Sequence, residues 1–267
     1  MPERTEAEIA LDNWRYAESW LEEDSQLASA RPKGRDLGAV PVGAGGGAAL
    51  RFLAAAIQAR SIVEIGTGAG VSGTWLLQGM APDGLLTSID IEPEHQRVAK
   101  QTFLDAGFPL SRFRLMAGNA LEVLPRLSDG AYDMVFGDAA KEEYSSYFDE
   151  AVRLLRPGGI LAFDNALWHG RVADESNRDA GTVAVRELLR RIRTDKRLVP
   201  LLLPCGDGLL AAVVVILPLG ALKQRGDRHV ARVDPQLGAR PGLGHPGAPR
   251  RIGDLAQPLG ADLLAPM

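Results

Sequence analysis

The sequence predicts an α/β fold of the Rossmann-like kind, a largely parallel sheet with helices on both faces. Three observations carry this reading. Between about Gly38 and Val215, apolar runs such as Ser61-Ile62-Val63-Glu64-Ile65 and Ala131-Tyr132-Asp133-Met134-Val135-Phe136 alternate with helical stretches such as Glu94 to Ala106 and Val183 to Arg193. Strand and helix in alternation imply parallel crossovers. The first strand runs directly into Gly66-Thr67-Gly68-Ala69-Gly70, and the last two apolar runs, Leu198 to Leu203 and Leu209 to Val215, flank the turn Gly206-Asp207-Gly208. Cys205, next to that turn, is read as structural.

Composition sets the bounds. A chain of 267 residues, 46% of them hydrophobic, has enough apolar matter for one large core. A net charge of -4 is the wrong sign for a protein whose main partner is a polyanion, so nucleic acid is disfavoured. With Cys205 alone, no intrachain disulfide and no cysteine-based zinc site can form, which fits a reducing compartment. The opening Met1-Pro2-Glu3-Arg4 is charged, and no apolar run of membrane-spanning length follows. The expectation is a cytoplasmic protein without a membrane partner.

Texture divides the chain in three. Residues 1–36 read as a helical cap, with Trp14 and Trp20, like Trp75 further on, expected to pack against the body. Residues 37–217 hold the alternating pattern. Residues 218–267 are rich in Gly, Pro and Arg, carry seven Lys/Arg against four Asp, and lack both periodicities, so a disordered tail adding little to the core is expected. A read-through or frame-shifted end explains the abrupt change of composition; a basic interaction arm is the rival explanation.

Glycines after a first strand let the backbone turn tightly against a ligand, while the following helix offers unpaired N–H groups. About twenty residues on, Leu85-Leu86-Thr87-Ser88-Ile89-Asp90 reads as a second strand ending in a carboxylate suited to ribose hydroxyls. Gly68-Ala69-Gly70-Val71-Ser72-Gly73 also matches the dinucleotide fingerprint, leaving a nicotinamide-dependent oxidoreductase as the alternative. Two details favour S-adenosylmethionine. Glu64, inside the apolar strand, would be awkward beside a pyrophosphate but useful near the ammonium of a methionine moiety. The dinucleotide register would also begin several residues too late after the strand.

A second constellation is Gly137-Asp138-Ala139-Ala140-Lys141 at the end of one strand and Asp164-Asn165-Ala166-Leu167-Trp168 at the end of the next. Ligands of open parallel sheets bind at the carboxyl ends of the strands, so Asp138, Asp164 and Asn165 are expected to converge. Three oxygen ligands without His or Cys suit a hard cation, Mg²⁺ before zinc. The blander readings are a helix cap for Asp138, turn residues for Asp164 and Asn165, solvated surface for Lys141, and a polar rim position for His169.

From Leu37 to Val215 these residues resemble the cation-dependent O-methyltransferases, a family that includes catechol and caffeoyl-CoA O-methyltransferases and bacterial relatives. The resemblance implies the class I methyltransferase fold, a central seven-stranded sheet closed by a C-terminal antiparallel hairpin. It implies donor contacts for Val42, Glu64, Gly66, Thr67, Ser72, Asp90, Ile91 and Asp138, beside the loop glycine Gly68. Gly118, Asn119 and Ala120 would line the adenine, Asp138, Asp164 and Asn165 would hold the metal, and Lys141 would be the general base. It also makes a homodimer the expected assembly.

The chemistry agrees with these roles. Methyl transfer is an in-line displacement at a sulfonium carbon, so the protein's work is positioning, worth ~7–11 kcal/mol in favourable cases, and making the acceptor hydroxyl a better nucleophile. A neighbouring cation favours both the oxyanion and a neutral lysine. The expected acceptor is a small hydroxylated molecule, catechol-like because two adjacent oxygens chelate one ion, with Asp138 and Lys141 at its hydroxyl and Trp168 stacked on its ring. A donor-binding module without turnover is the remaining alternative. Methylation of a nucleic-acid base amine would call for an Asn/Asp-Pro-Pro-aromatic motif where this chain has Gly137-Asp138-Ala139-Ala140. If the tail adds nothing, truncation after Leu217 leaves the melting temperature and methyl-transfer rate unchanged; substantial loss of either in calorimetry or a turnover assay refutes the read-through explanation.

Overall fold

The computed structural model describes residues 4–215; the expected tail lies outside them. The elements run α1 (Glu6–Ser19), α2 (Ser25–Asp36), α3 (Ala44–Ala56), β1 (Ser61–Ile65), α4 (Val71–Gly79), β2 (Leu85–Asp90), α5 (Pro93–Asp105), β3 (Phe113–Ala117), α6 (Ala120–Val123), β4 (Tyr132–Gly137), α7 (Tyr144–Leu154), β5 (Leu155–Phe163), α8 (Ala180–Thr194), β6 (Leu198–Leu203) and β7 (Leu209–Val214). The seven strands order as β3-β2-β1-β4-β5-β7-β6. β1 pairs in parallel with β2 and β4, and β4 with β5, while β7 runs antiparallel to both β5 and β6. This is the class I methyltransferase arrangement that the sequence predicts.

Period-two patterning sorts the core onto the two faces of the sheet. Met134 and Phe136 of β4, with Ile160 and Ala162 of β5, pack toward Leu50 of α3, Leu76 of α4 and Phe103 of α5. The alternate residues Val135, Leu161 and Phe163 pack toward Phe148 of α7 and Leu188 of α8. Each of these large side chains is buried, and full burial of one contributes roughly 1.5–3 kcal/mol. Strand order reverses at β1 and β4, so the crevice at their carboxyl ends is the natural ligand position.

The helix starts have local causes. Thr5 and Glu8 form a reciprocal capping box at α1, Asp24 accepts the Gln26 and Leu27 N–H groups at α2, and Asp179 accepts the Thr182 N–H at α8. That last cap starts α8 three residues before the apolar pattern suggested.

One packing expectation fails. Trp75 is buried at 1% exposure, but Trp14 and Trp20 stand at 41% and 71%. α1 buries none of its residues and holds the body by hydrogen bonds instead: the Glu18 carboxylate accepts the Gly45 N–H at the start of α3 and the Gly206 N–H in the β6–β7 turn. Val199, Leu201 and Leu202 of the edge strand β6 are exposed as well.

Candidate functional site

The site begins where β1 ends. Gly66 has φ 95°, and a Cβ there would lie 2.0 Å from the Asp138 carbonyl oxygen, so only glycine fits. The Asp138 N–H donates to the Ile65 carbonyl and the Gly66 N–H to that of Ile89, tying together the ends of β1, β2 and β4. Gly70, at φ 84°, is the N-cap of α4. Asp90 braces this loop: one oxygen accepts the Thr67 and Gly68 N–H groups at 2.9 and 3.0 Å, and the other accepts the Glu92 N–H. Any ribose hydroxyl would share Asp90 with the loop it supports.

A cleft of about 650 Å³ opens over these strand ends. Val42, Gly66, Thr67, Gly68, Ser72 and Asp90 line it, as do Ile91, Gly118, Asn119 and Ala120. Asn119 is also the N-cap of α6, its side-chain oxygen accepting the Leu121 N–H. Asp138, Lys141, Asn165 and Trp168 line the same cleft. Of the residues singled out from sequence, Glu64 and Asp164 do not reach its wall.

Glu64 lies behind Ser72. It is fully buried and accepts hydrogen bonds from the Ser72 and Ser88 hydroxyls at 2.6 and 2.5 Å. Burial raises its carboxyl to about 7 against the pull of those two hydroxyls, and the Asp138 and Asp90 carboxylates push the same way. The acid therefore acts on the cleft through Ser72 and through its field.

On the other side of the cleft, the buried Lys141 donates to Asp138 Oδ1 at 2.8 Å, which replaces the reading of a solvated surface lysine. Its Nζ also lies 4.9 Å from the Tyr144 ring centre and 5.8 Å from that of Trp168. Trp168 packs on Gly181 at the start of α8 and stacks on His169. Asp164 is 5% exposed; burial first, then the Asp138 carboxylate, raise its carboxyl to about 7, with Asp207 adding to the push and Lys141 opposing it. Asn165 donates from Nδ2 to Asp207 at 3.3 Å. Among the described residues, no cluster of three or more His, Cys, Asp or Glu side chains is arranged to hold a metal; the oxygen set here is two carboxylates and an amide.

Sequence reasoning missed several supports. His95 Nδ1 lies within 3.2–3.3 Å of both Asp90 oxygens, Gln96 donates to Thr67 Oγ1, and Tyr144 donates its hydroxyl to the Asp164 carbonyl. Nothing in local spacing marks these. Asp207 did carry a signal, since it sits between two glycines in a turn, but only the fold brings that turn to the strand ends.

The profile of one protein family, described as O-methyltransferase, matches residues 17–214. A protein of Mycobacterium sp. (strain JLS), provisionally named an O-methyltransferase, is 50% identical over 211 residues, covering 79% of this chain and 94% of its own. The crystal structure of the O-methyltransferase TomG from Streptomyces achromogenes, involved in tomaymycin synthesis and solved with S-adenosylmethionine, is similar with a TM-score of 0.68 at 30% identity, over 76% of this chain and 98% of that one. An O-methyltransferase from Bacillus cereus, solved with the demethylated donor, gives a TM-score of 0.68 at 27% identity over 77% and 97%.

A carboxyl that binds its proton more tightly folded than unfolded contributes stability fully present below about pH 4.5 and lost as the pH rises through about 7. For the buried Glu64 this amounts to up to roughly 3 kcal/mol. Glu64→Gln is therefore expected to gain on the wild type, in melting of the ligand-free protein, as the pH goes from 5 to 8. Parallel stability curves for the two proteins would show that Glu64 is not held protonated.

Proposed function

The chain belongs to the O-methyltransferase family and is an S-adenosylmethionine-dependent enzyme, and we propose that it methylates a hydroxyl of a small, catechol-like aromatic acceptor with help from a divalent cation. The observation that carries this reading is the single cleft that joins the glycine loop to Asp138, Lys141, Asn165 and Trp168. A donor on the loop side would present its methyl carbon toward the Asp138 side.

The cation reading rests on the donor set. Asp138 and Asp164 repel each other's charge with Lys141 the cation that opposes it, and the Asn165 amide nitrogen is occupied by Asp207, which frees its oxygen. Hard oxygens of this kind fit Mg²⁺. Bound there, a divalent cation would stabilise the acceptor's oxyanion.

The residues then divide the work. Ser72, Asp90 and the backbone of Gly66 to Gly68 orient the donor, with Glu64 holding Ser72 from behind. Trp168 supplies an apolar face for the acceptor ring. The acceptor oxygen attacks the methyl carbon as the C–S bond breaks, the bonding pair passing to sulfur. Its proton goes to Lys141 Nζ, which must first be released from Asp138 and be neutral. Positioning of nucleophile and methyl in line contributes the larger share of the rate.

The exposed apolar side chains of α1 and β6 support a second proposal, that two copies associate through these faces. Light scattering is expected to give twice the monomer mass for the wild type and a monomer for a Trp20→Glu, Leu201→Glu variant; a monomeric wild type rules this out. For the activity, Asp138→Ala is expected to retain donor binding in calorimetry and to lose about 100-fold or more of Mg²⁺-dependent turnover on catechols, as loss of several kcal/mol of charge stabilisation implies. Undiminished turnover after chelation would refute the metal-assisted reading, and donor binding without turnover on any catechol would favour a binding module.

A further inference from the structure

The segment after β5 is held in an unfavourable shape. Asn165, Trp168 and His169 have φ of 57°, 47° and 56°, left-handed values that non-glycine residues seldom adopt. Such residues persist only where the surroundings over-determine them. The surroundings here are the β6–β7 turn. The Ala166 N–H donates to the Gly208 carbonyl at 2.8 Å and the Leu167 N–H to that of Asp207 at 2.9 Å. Gly208, at φ 87°, lets the strands of chain meet, since a Cβ there would lie 2.5 Å from Leu167 Cγ.

The Asp207 side chain adds contacts of a different kind. Its Oδ1 accepts the His169 N–H at 2.7 Å, and its Oδ2 accepts from Asn165 Nδ2 at 3.3 Å and lies 3.3 Å from His169 Nδ1. A primary amide has one donating end and one accepting end, whereas an ionised carboxylate only accepts. Asp207 can therefore engage Asn165 through nitrogen alone, which leaves the amide oxygen as the end available to the cleft. Without that carboxylate, nothing else in the hydrogen bonding of Asn165 would select one end over the other.

We propose that Asp207 is a positioning residue that fixes the Asn165 amide with its oxygen turned to the cation site, while pinning the strained acceptor-side turn through His169. The proposal rests on the metal-assisted reading above. An outer partner of this sort typically changes metal affinity by about 10–100-fold when it is lost.

The chemistry makes a sharp test available. In Asp207→Asn, the new amide still accepts the His169 N–H but turns a donor toward Asn165, whose own amide must then flip and offer nitrogen to the cation. Combining Asp207→Asn with Asn165→Asp restores the pair with its polarity reversed: the amide at position 207 donates to the carboxylate at position 165, whose second oxygen faces the cleft. Mn²⁺ binding by the full chain without donor or acceptor, followed by calorimetry, is expected to weaken about 10–100-fold in the single variant and to recover in the double variant. Melting in chelator is expected to be similar for all three proteins. A single variant that binds Mn²⁺ like the wild type overturns the role of Asp207 alone, as does a folded double variant without recovery. A wild type that takes up no Mn²⁺ overturns the metal-assisted reading and this one with it.

Discussion

The structure depends on the close approach of two strand ends at Gly66. The backbone after β1 passes so near the Asp138 carbonyl that no side chain can occupy the position. That contact is possible only with a residue free to take a positive φ, and it sets the donor loop beside the first acid of the acceptor side. The rest follows from it. The N–H of Asp138 can reach the Ile65 carbonyl, Asp90 can gather the Thr67 and Gly68 N–H groups, and the cleft is one continuous space. Two half-sites carried by strands far apart in sequence become one because a single residue lacks a Cβ.

Around this junction the polar groups form a graded set of burial. Asp138 and Lys141 face the cleft as an ion pair, Asp164 lies just behind it, and Glu64 is wholly enclosed. The two buried carboxyls are the ones held toward their neutral forms, because burial disfavours their charge and neighbouring acids share it. A cationic donor or a divalent ion entering the cleft would find negative charge that the protein alone compensates incompletely.

Sequence legibility tracked how local each cause is. The parallel sheet was readable because alternation and glycine placement act within a few residues; β1, β2, β4 and the final hairpin lie where Ile62, Leu86, Met134 and Leu209 suggested. The cleft residues were readable because strand ends of such sheets share one edge. The supports were not. His95, Tyr144 and Asp207 act across 5, 20 and 42 positions of chain on Asp90, Asp164 and Asn165. The tryptophans in and just after α1 misled for a related reason. Trp14 and Trp20 carry core-like composition, but α1 meets the body through Glu18 and leaves them exposed.

That attachment through Glu18 has a consequence for how the chain can vary. A helix that contributes no buried side chain can be exchanged, lengthened or re-angled without disturbing the sheet, so long as one carboxylate still reaches two backbone N–H groups. One of those groups, on Gly206, belongs to the turn that carries Asp207. The first helix of the described chain is thus connected by one hydrogen bond and one peptide link to Asp207. Loss of the Glu18 carboxylate would reach the turn beside Asp207, while the loop anchored by Asp90 and Gly66 stays as it is.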